Sequence, residues 1–208
     1  MGKLFATGLT SLLLLIALMF IGITVASVIT GQISTNPSEQ DLEDMIEKTI
    51  DEISTYIIIK DQKGKFSEIN GEQKIEKIAL LIKPLFTQEI DVSKLTIQLY
   101  NSESVVFLEY DGNSVNLGPN TLFGHPIWNN INGDNFGIIS IVDIDKSLIN
   151  HATFNDCSDN AYVVFRLPNL MTLSKYEKII ITLFPSTGIS KTIELKAPLP
   201  IESVVSFE

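Results

Sequence analysis

Between Leu4 and Ser38 the chain carries no charged residue, and from Leu9 to Ile29 it is almost continuously apolar. No other feature limits the fold as much. A helix rises 1.5 Å per residue, so about 20 such residues cross a hydrocarbon layer of ~30 Å. No proline or charge interrupts the run, and the sequence predicts one unbroken helix containing Leu9, Leu12, Leu13, Leu15, Ile16, Leu18, Met19, Phe20, Gly22, Ile23, Val25, Ala26 and Ile29. A secretory signal has a shorter apolar core followed by a small-residue cleavage site. Here Ala26 and Ser27 lie inside the run, so the helix is expected to be retained, with residues 1–8 as a short leader or extension.

The rest of the chain has the opposite character. The formal net charge is −10, and Lys3 is the only charge before Glu39, so everything after the apolar run carries −11. Such a surface repels phosphate backbones, which argues against nucleic acid as a partner. The single cysteine, Cys157, cannot form an intrachain disulfide. It stands in the polar run 155–160, as a loop thiol or as half of an intermolecular disulfide.

A second helix is predicted after a break near Pro37. Asn36 can cap it, Pro37 suits its first position and Glu39 can reach back to the cap. Leu42, Met45, Ile46, Ile50, Ile53 and Ile57 recur every three or four residues between carboxylates. That stripe can pack on the chain's own outer domain or on neighbouring subunits. From about residue 59 the pattern changes to short apolar runs separated by Gly, Pro and Asn, and Asp61-Gln62-Lys63-Gly64 reads as a turn. Strands are expected near 74–82, 94–100, 104–110, 113–117, 137–143, 161–167, 177–184, 190–196 and 202–207, with a hairpin at Asp111-Gly112-Asn113. The expected fold is α+β: a long hydrophobic N-terminal helix, kinked or broken near Pro37, then an antiparallel β-sandwich or barrel-like domain. The predicted division is 1–8, 9–58 and 59–208.

The chemistry that most enzymes need is missing from the sequence. His125 and His151 are the only histidines, and neither has metal-ligand spacing. There is no nucleophile elbow and no phosphate-binding loop, so neither a small-molecule substrate nor a cofactor is implied. Asp143 and Asp145 alternate as though on one face of a strand, with Asp134 upstream. They are weak candidates for a cation site, since a hard cation takes six to eight oxygens and two carboxylates supply too few.

Taken in order, these pieces resemble an archaellin, the archaeal flagellin. The segment Gly8 to Ile29 is similar in composition and spacing to the start of that family. The carboxyl end resembles it in the order strand (Ile179–Phe184), Pro185-Ser186-Thr187-Gly188 turn, strand (Lys191–Leu195), Ala197-Pro198, and final strand (Val204–Phe207). Ile75 to Leu99 resembles the first strands of the outer domain. Family precursors carry a basic residue and then glycine at the cleavage point, whereas Leu4-Phe5-Ala6-Thr7 separates Lys3 from Gly8 here. Alignment of Gly8 with the glycine inside the mature helix would put the cut after Phe5. No Asn-x-Ser/Thr sequon exists, because Pro37 excludes Asn36-Pro37-Ser38.

The resemblance implies a structural subunit of an extracellular motility filament. Its N-terminal helices would pack as the filament core, with β domains outside. The implied partners are copies of itself, the membrane before assembly and a prepilin-type peptidase. The alternative is a membrane-anchored accessory protein, stator-like or envelope-binding, that keeps its helix in lipid.

Overall fold

A computed structural model describes residues 56–208 apart from Gln88, Thr187 and Glu208. The predicted apolar helix, the processing region at Lys3, Phe5 and Gly8, and most of the second helix lie outside the described residues. Among the described residues no helix is long and apolar enough to cross a membrane.

The chain enters through β1 (Ile57–Ile69) and β2 (Glu72–Pro84), which form a long antiparallel hairpin. Its turn is Asn70-Gly71, with φ of 55° and 82°. Two successive positive φ angles match the right-handed twist of the strands, and Asn and Gly adopt them at little cost. The turn expected at Asp61–Gly64 is instead the middle of β1. Lys60 is the extra residue of a bulge there, since Ile59 pairs with Ile82 and Asp61 with Leu81. Ile57, the last member of the predicted helical stripe, is buried as the first residue of this strand.

The remaining elements are β3 (Ile90–Asp91), β4 (Thr96–Tyr100), β5 (Val105–Asn116), β6 (Asn135–Val142), the short helix α1 (Ser147–His151), β7 (Thr153–Phe154), β8 (Asn160–Arg166), β9 (Lys178–Phe184), β10 (Lys191–Lys196) and β11 (Val204–Ser206). Strands β3 and β7 form a small pair, and the others form one sheet in the order β10-β9-β4-β5-β6-β8-β2-β1-β11. Every neighbouring pair is antiparallel except β5 and β6. The sheet curls strongly. Lys191, which begins the β10 edge, donates to the Tyr56 hydroxyl at 3.1 Å, next to β1 on the far side of the strand order.

Two features differ from the sequence expectation. Asp111-Gly112-Asn113 is no hairpin, because β5 runs through it as one strand. Tyr110 pairs with Phe136 and Ser114 with Ile138, so three residues bulge out opposite Gly137. The Asp111 carboxylate accepts the Asn113 amide at 2.8 Å and Gly112 takes φ 83°, which closes the bulge locally. The β5–β6 pair is also parallel, which demands a crossover of a dozen or more residues. Residues 117–134 make that crossover on the outer face, where Phe123, Ile127, Trp128 and Ile131 cover Ala79, Ile139, Tyr162 and Val164.

Strands β2, β6 and β8 are therefore buried on both faces. Their other face meets the main core inside the curl, built on residues such as Ile78, Leu80, Phe136, Val163 and Phe165. Strand β9 shows the predicted alternation: Ile179, Ile181 and Leu183 are fully buried, while Ile180 and Thr182 face outward and are half-buried.

The C-terminus closes one edge. Strand β11 pairs with β1 from Lys63 to Lys65, and Phe207 rests on Gly64. A Cβ on Gly64 would lie 2.8 Å from the Phe207 ring and 3.1 Å from Ile75. Gly64→Val is expected to cost about 1–3 kcal/mol by overpacking, read as a lower urea midpoint. The cost should shrink in a Phe207→Ala background, because the two residues share the space.

Candidate functional site

The described residues bring one group of acidic side chains together, in the link between β6 and β8. Strand β6 ends at Val142, and the chain then turns through Asp143-Ile144-Asp145-Lys146 into α1, with Lys146 at φ 62°. Asp143 and Asp145 therefore sit in a turn and not on a strand face as predicted. Asp134, expected nearby, precedes β6 and is removed by the length of that strand.

The third carboxylate is Asp159, just before β8. One oxygen from each of Asp143, Asp145 and Asp159 lies within 4.8 Å of the others. Asp159 is only 1% exposed. Its Oδ2 accepts the backbone amides of Asn155 and Asp156, both at 3.2 Å. Asn155 bridges the two limbs, since its side-chain amide donates to Asp145 and its Oδ1 accepts from Ser147 Oγ at 3.1 Å. Asp143 Oδ2 accepts the Ile149 amide at 3.3 Å, and Asp145 Oδ1 accepts the Ser147 amide at 3.0 Å.

These contacts tune the carboxyls in opposite directions. Burial pushes Asp159 above the ordinary carboxylate range, and the charges of Asp143 and Asp145 push the same way against its two amide bonds. Asp145 is held below that range, chiefly by the Asn155 amide and then by the Ser147 amide. Chemically the donor set is all oxygen and anionic. Oxygens around one Ca²⁺ at about 2.3–2.6 Å are separated by at most about 5 Å, so the observed spacing suits a hard cation. Nothing in the arrangement supplies a nucleophile or a proton-transfer pair.

Asp159 also organises its own loop. Removal of its carboxylate in Asp159→Ala leaves two backbone amides without an acceptor, at an expected cost of about 1–3 kcal/mol in thermal unfolding. Asp159→Asn keeps an acceptor and removes a like charge, so its melting point should stay close to wild type.

The remaining candidates have structural or surface roles. His125 is buried in the crossover, where its Nδ1 accepts the Ile127 amide at 3.1 Å. Its Nε2 therefore carries the proton and donates to the Asn116 carbonyl at 3.1 Å. His151 ends α1 and is exposed, and Cys157 is an exposed free thiol.

No family model matches the chain. It is 27% identical to Flagellin B3 of Methanocaldococcus jannaschii in an alignment covering 98% of this chain and 95% of that protein. The chain is archaellin-like. A second archaellin, Flagellin B5 of Pyrococcus abyssi, is 25% identical over 143 residues, a stretch that spans 64% of each protein and so less than two thirds of that relative. The archaellin-like fold has solved counterparts. The crystal structure of archaeal flagellin FlaB1 from Methanocaldococcus jannaschii matches with a TM-score of 0.64 at 19% identity, over 73% of this chain and 95% of that one. The archaeal flagellum of Methanospirillum hungatei matches with a TM-score of 0.53 at 12% identity, over 97% and 99%. The resemblance read from Gly8 to Ile29, Ile75 to Leu99 and the carboxyl end is matched by an alignment over 98% of this chain.

Proposed function

We propose that the protein is a structural subunit of an extracellular archaeal motility filament, and that it acts by assembling with copies of itself or related subunits rather than by catalysis. The observation that carries this reading is the alignment with Flagellin B3. At 98% coverage it includes the apolar N-terminal run as well as the β domain. The curled sheet is shared with a solved flagellin.

The finer proposal concerns the N-terminus. The helix from Leu9 to Ile29 is held in the membrane before assembly and packs among its copies as the filament core afterwards. Burial of each Leu or Ile side chain is worth about 1.5–3 kcal/mol against water, so lipid and a bundle of like helices are both acceptable surroundings for it. A prepilin-type peptidase removes the first residues between Lys3 and Leu9.

Mass spectrometry of filaments sheared from cells tests both levels. The expected result is this protein as a filament component, with an N-terminus that begins after Lys3 and before Thr10. Filaments without the protein would overturn the subunit reading. Filaments whose subunits still begin at Met1 would overturn the processing step alone.

A further inference from the structure

The β1–β2 hairpin has a charge unlike that of the chain as a whole. Strands β1 and β2 hold six lysines against four carboxylates, in a protein of net charge −10. Three cations stand in one row across the sheet, with Lys65 opposite Lys77 and Lys77 opposite Arg166. Arg166 is engaged by Glu76 and by the carbonyls of Ile131 and Trp128. Lys77 lies 5.0 Å from the centre of the Trp128 ring. Its ammonium is held below the usual lysine range by burial first and then by Arg166, with Lys65 adding to the effect. Lys63 pairs with Asp61 at 3.2 Å, whereas Lys65 forms no ion pair among the described residues.

Lys63 and Lys65 wall a cleft of about 410 Å³, with Thr121, Leu122, Phe123 and Ser203 among its other sides. Ammonium groups, hydroxyls and an apolar wall together suit an acidic peptide that also carries apolar side chains. The chain itself contains one. Residues 39–52 hold seven carboxylates and a single lysine, interleaved with Leu42, Met45, Ile46 and Ile50.

We propose that the cleft at Lys63 and Lys65 receives the acidic segment 39–52 of a second copy of this chain. The inference rests on the filament-subunit reading and names a contact between its subunits. Two bodies of charge −10 repel each other unless patches of opposite sign meet. The segment and the cleft are different surfaces, so their contact is heterologous and repeats from copy to copy, which an open helical array requires.

Charge reversal tests it, with full-length chains expressed in a host that lacks its own subunits. One variant carries Lys63→Glu and Lys65→Glu, and the other carries Asp41→Lys, Glu43→Lys, Asp44→Lys and Glu47→Lys. Each alone is expected to lose at least about tenfold in sheared filament, equal to about 1.4 kcal/mol per contact. Co-expression of the two should restore filaments, because each acidic cleft then meets a basic segment and each basic cleft an acidic one. Lys65→Gln, which removes one charge from a half-buried side chain, should weaken assembly and reduce its sensitivity to salt.

Wild-type yield from the cleft variant would overturn the proposal. So would failure of co-expression alongside recovery when all six changes are placed in one chain, since that pattern marks a contact within the chain. Absence of filaments from the wild-type chain would overturn the subunit reading itself, a failure distinguishable from the other two.

Discussion

Phe165→Ala unfolds well below wild type, by roughly 10 °C in melting temperature, while Phe107→Ala changes it by no more than a degree or two. Phe165 is fully buried near the end of β8, flanked by Phe136 on β6 and Ile78 on β2. The Phe136 ring continues the row to Tyr110, 5.8 Å away. Truncation removes the transfer free energy of the ring and leaves a cavity among neighbours held by backbone ladders, at about 3–5 kcal/mol. That is a large part of the ~5–15 kcal/mol that stabilises an ordinary domain. At about 2–4 °C per kcal/mol for a chain of this size, the expected shift follows. Phe107 is 57% exposed on the outer face of β5 and serves as the control. Equal shifts for the two variants would show that the row through Phe165 is not the core.

The parts of this fold legible in the sequence are those where local pattern and long-range packing agree. Strand β9 alternates apolar and polar-facing residues, and its buried set is the one that the period of two indicates. Strands β2, β8 and β10 are likewise found close to where their apolar runs lie. The misreadings occur where turn-forming residues serve another purpose. Asp61 to Gly64 has the composition of a turn, but Gly64 is small because Phe207, from the far end of the chain, occupies the space above it. Asp111-Gly112-Asn113 does form a local turn, yet the strand resumes after it, because Ser114 and Val115 find partners on β6. Asn70-Gly71, which does reverse the chain, carries the stronger hairpin signal.

The acidic group was half legible for a related reason. Asp143 and Asp145 are two residues apart in sequence and visible as a pair. Asp159 joins them only because β6 and β8 are neighbours in the sheet, so that the link between them folds back on itself. No local pattern announces that neighbourhood, just as none announces the parallel pairing of β5 with β6. A signal did exist, in the density of Asp and Asn on both sides of the short helix, residues 143–145 and 155–160.

A size change within the apolar run separates an assembly surface from a simple tether. Charged substitutions do not: Ile16→Asp costs several kcal/mol among packed apolar helices and about 2.5–3.5 kcal/mol on insertion into lipid. Gly22→Leu with Ala26→Leu acts differently on the two. Each change adds apolar surface, which a helix facing only lipid accepts or gains from. Helices packed against one another use small residues to approach closely, and each overpacked site there costs about 1–3 kcal/mol. Gly22 and Ala26 are four residues apart, so on a helix they would fall on one face and act on the same contact. Two such sites per subunit, repeated along a filament, shift assembly by one to several orders of magnitude, at 1.4 kcal/mol per factor of ten. The double variant is therefore expected in the membrane fraction at the wild-type level and absent from sheared material. Wild-type filament yield would mean that the helix acts only as a tether. Loss from the membrane fraction would place the effect at insertion, before any packing between subunits.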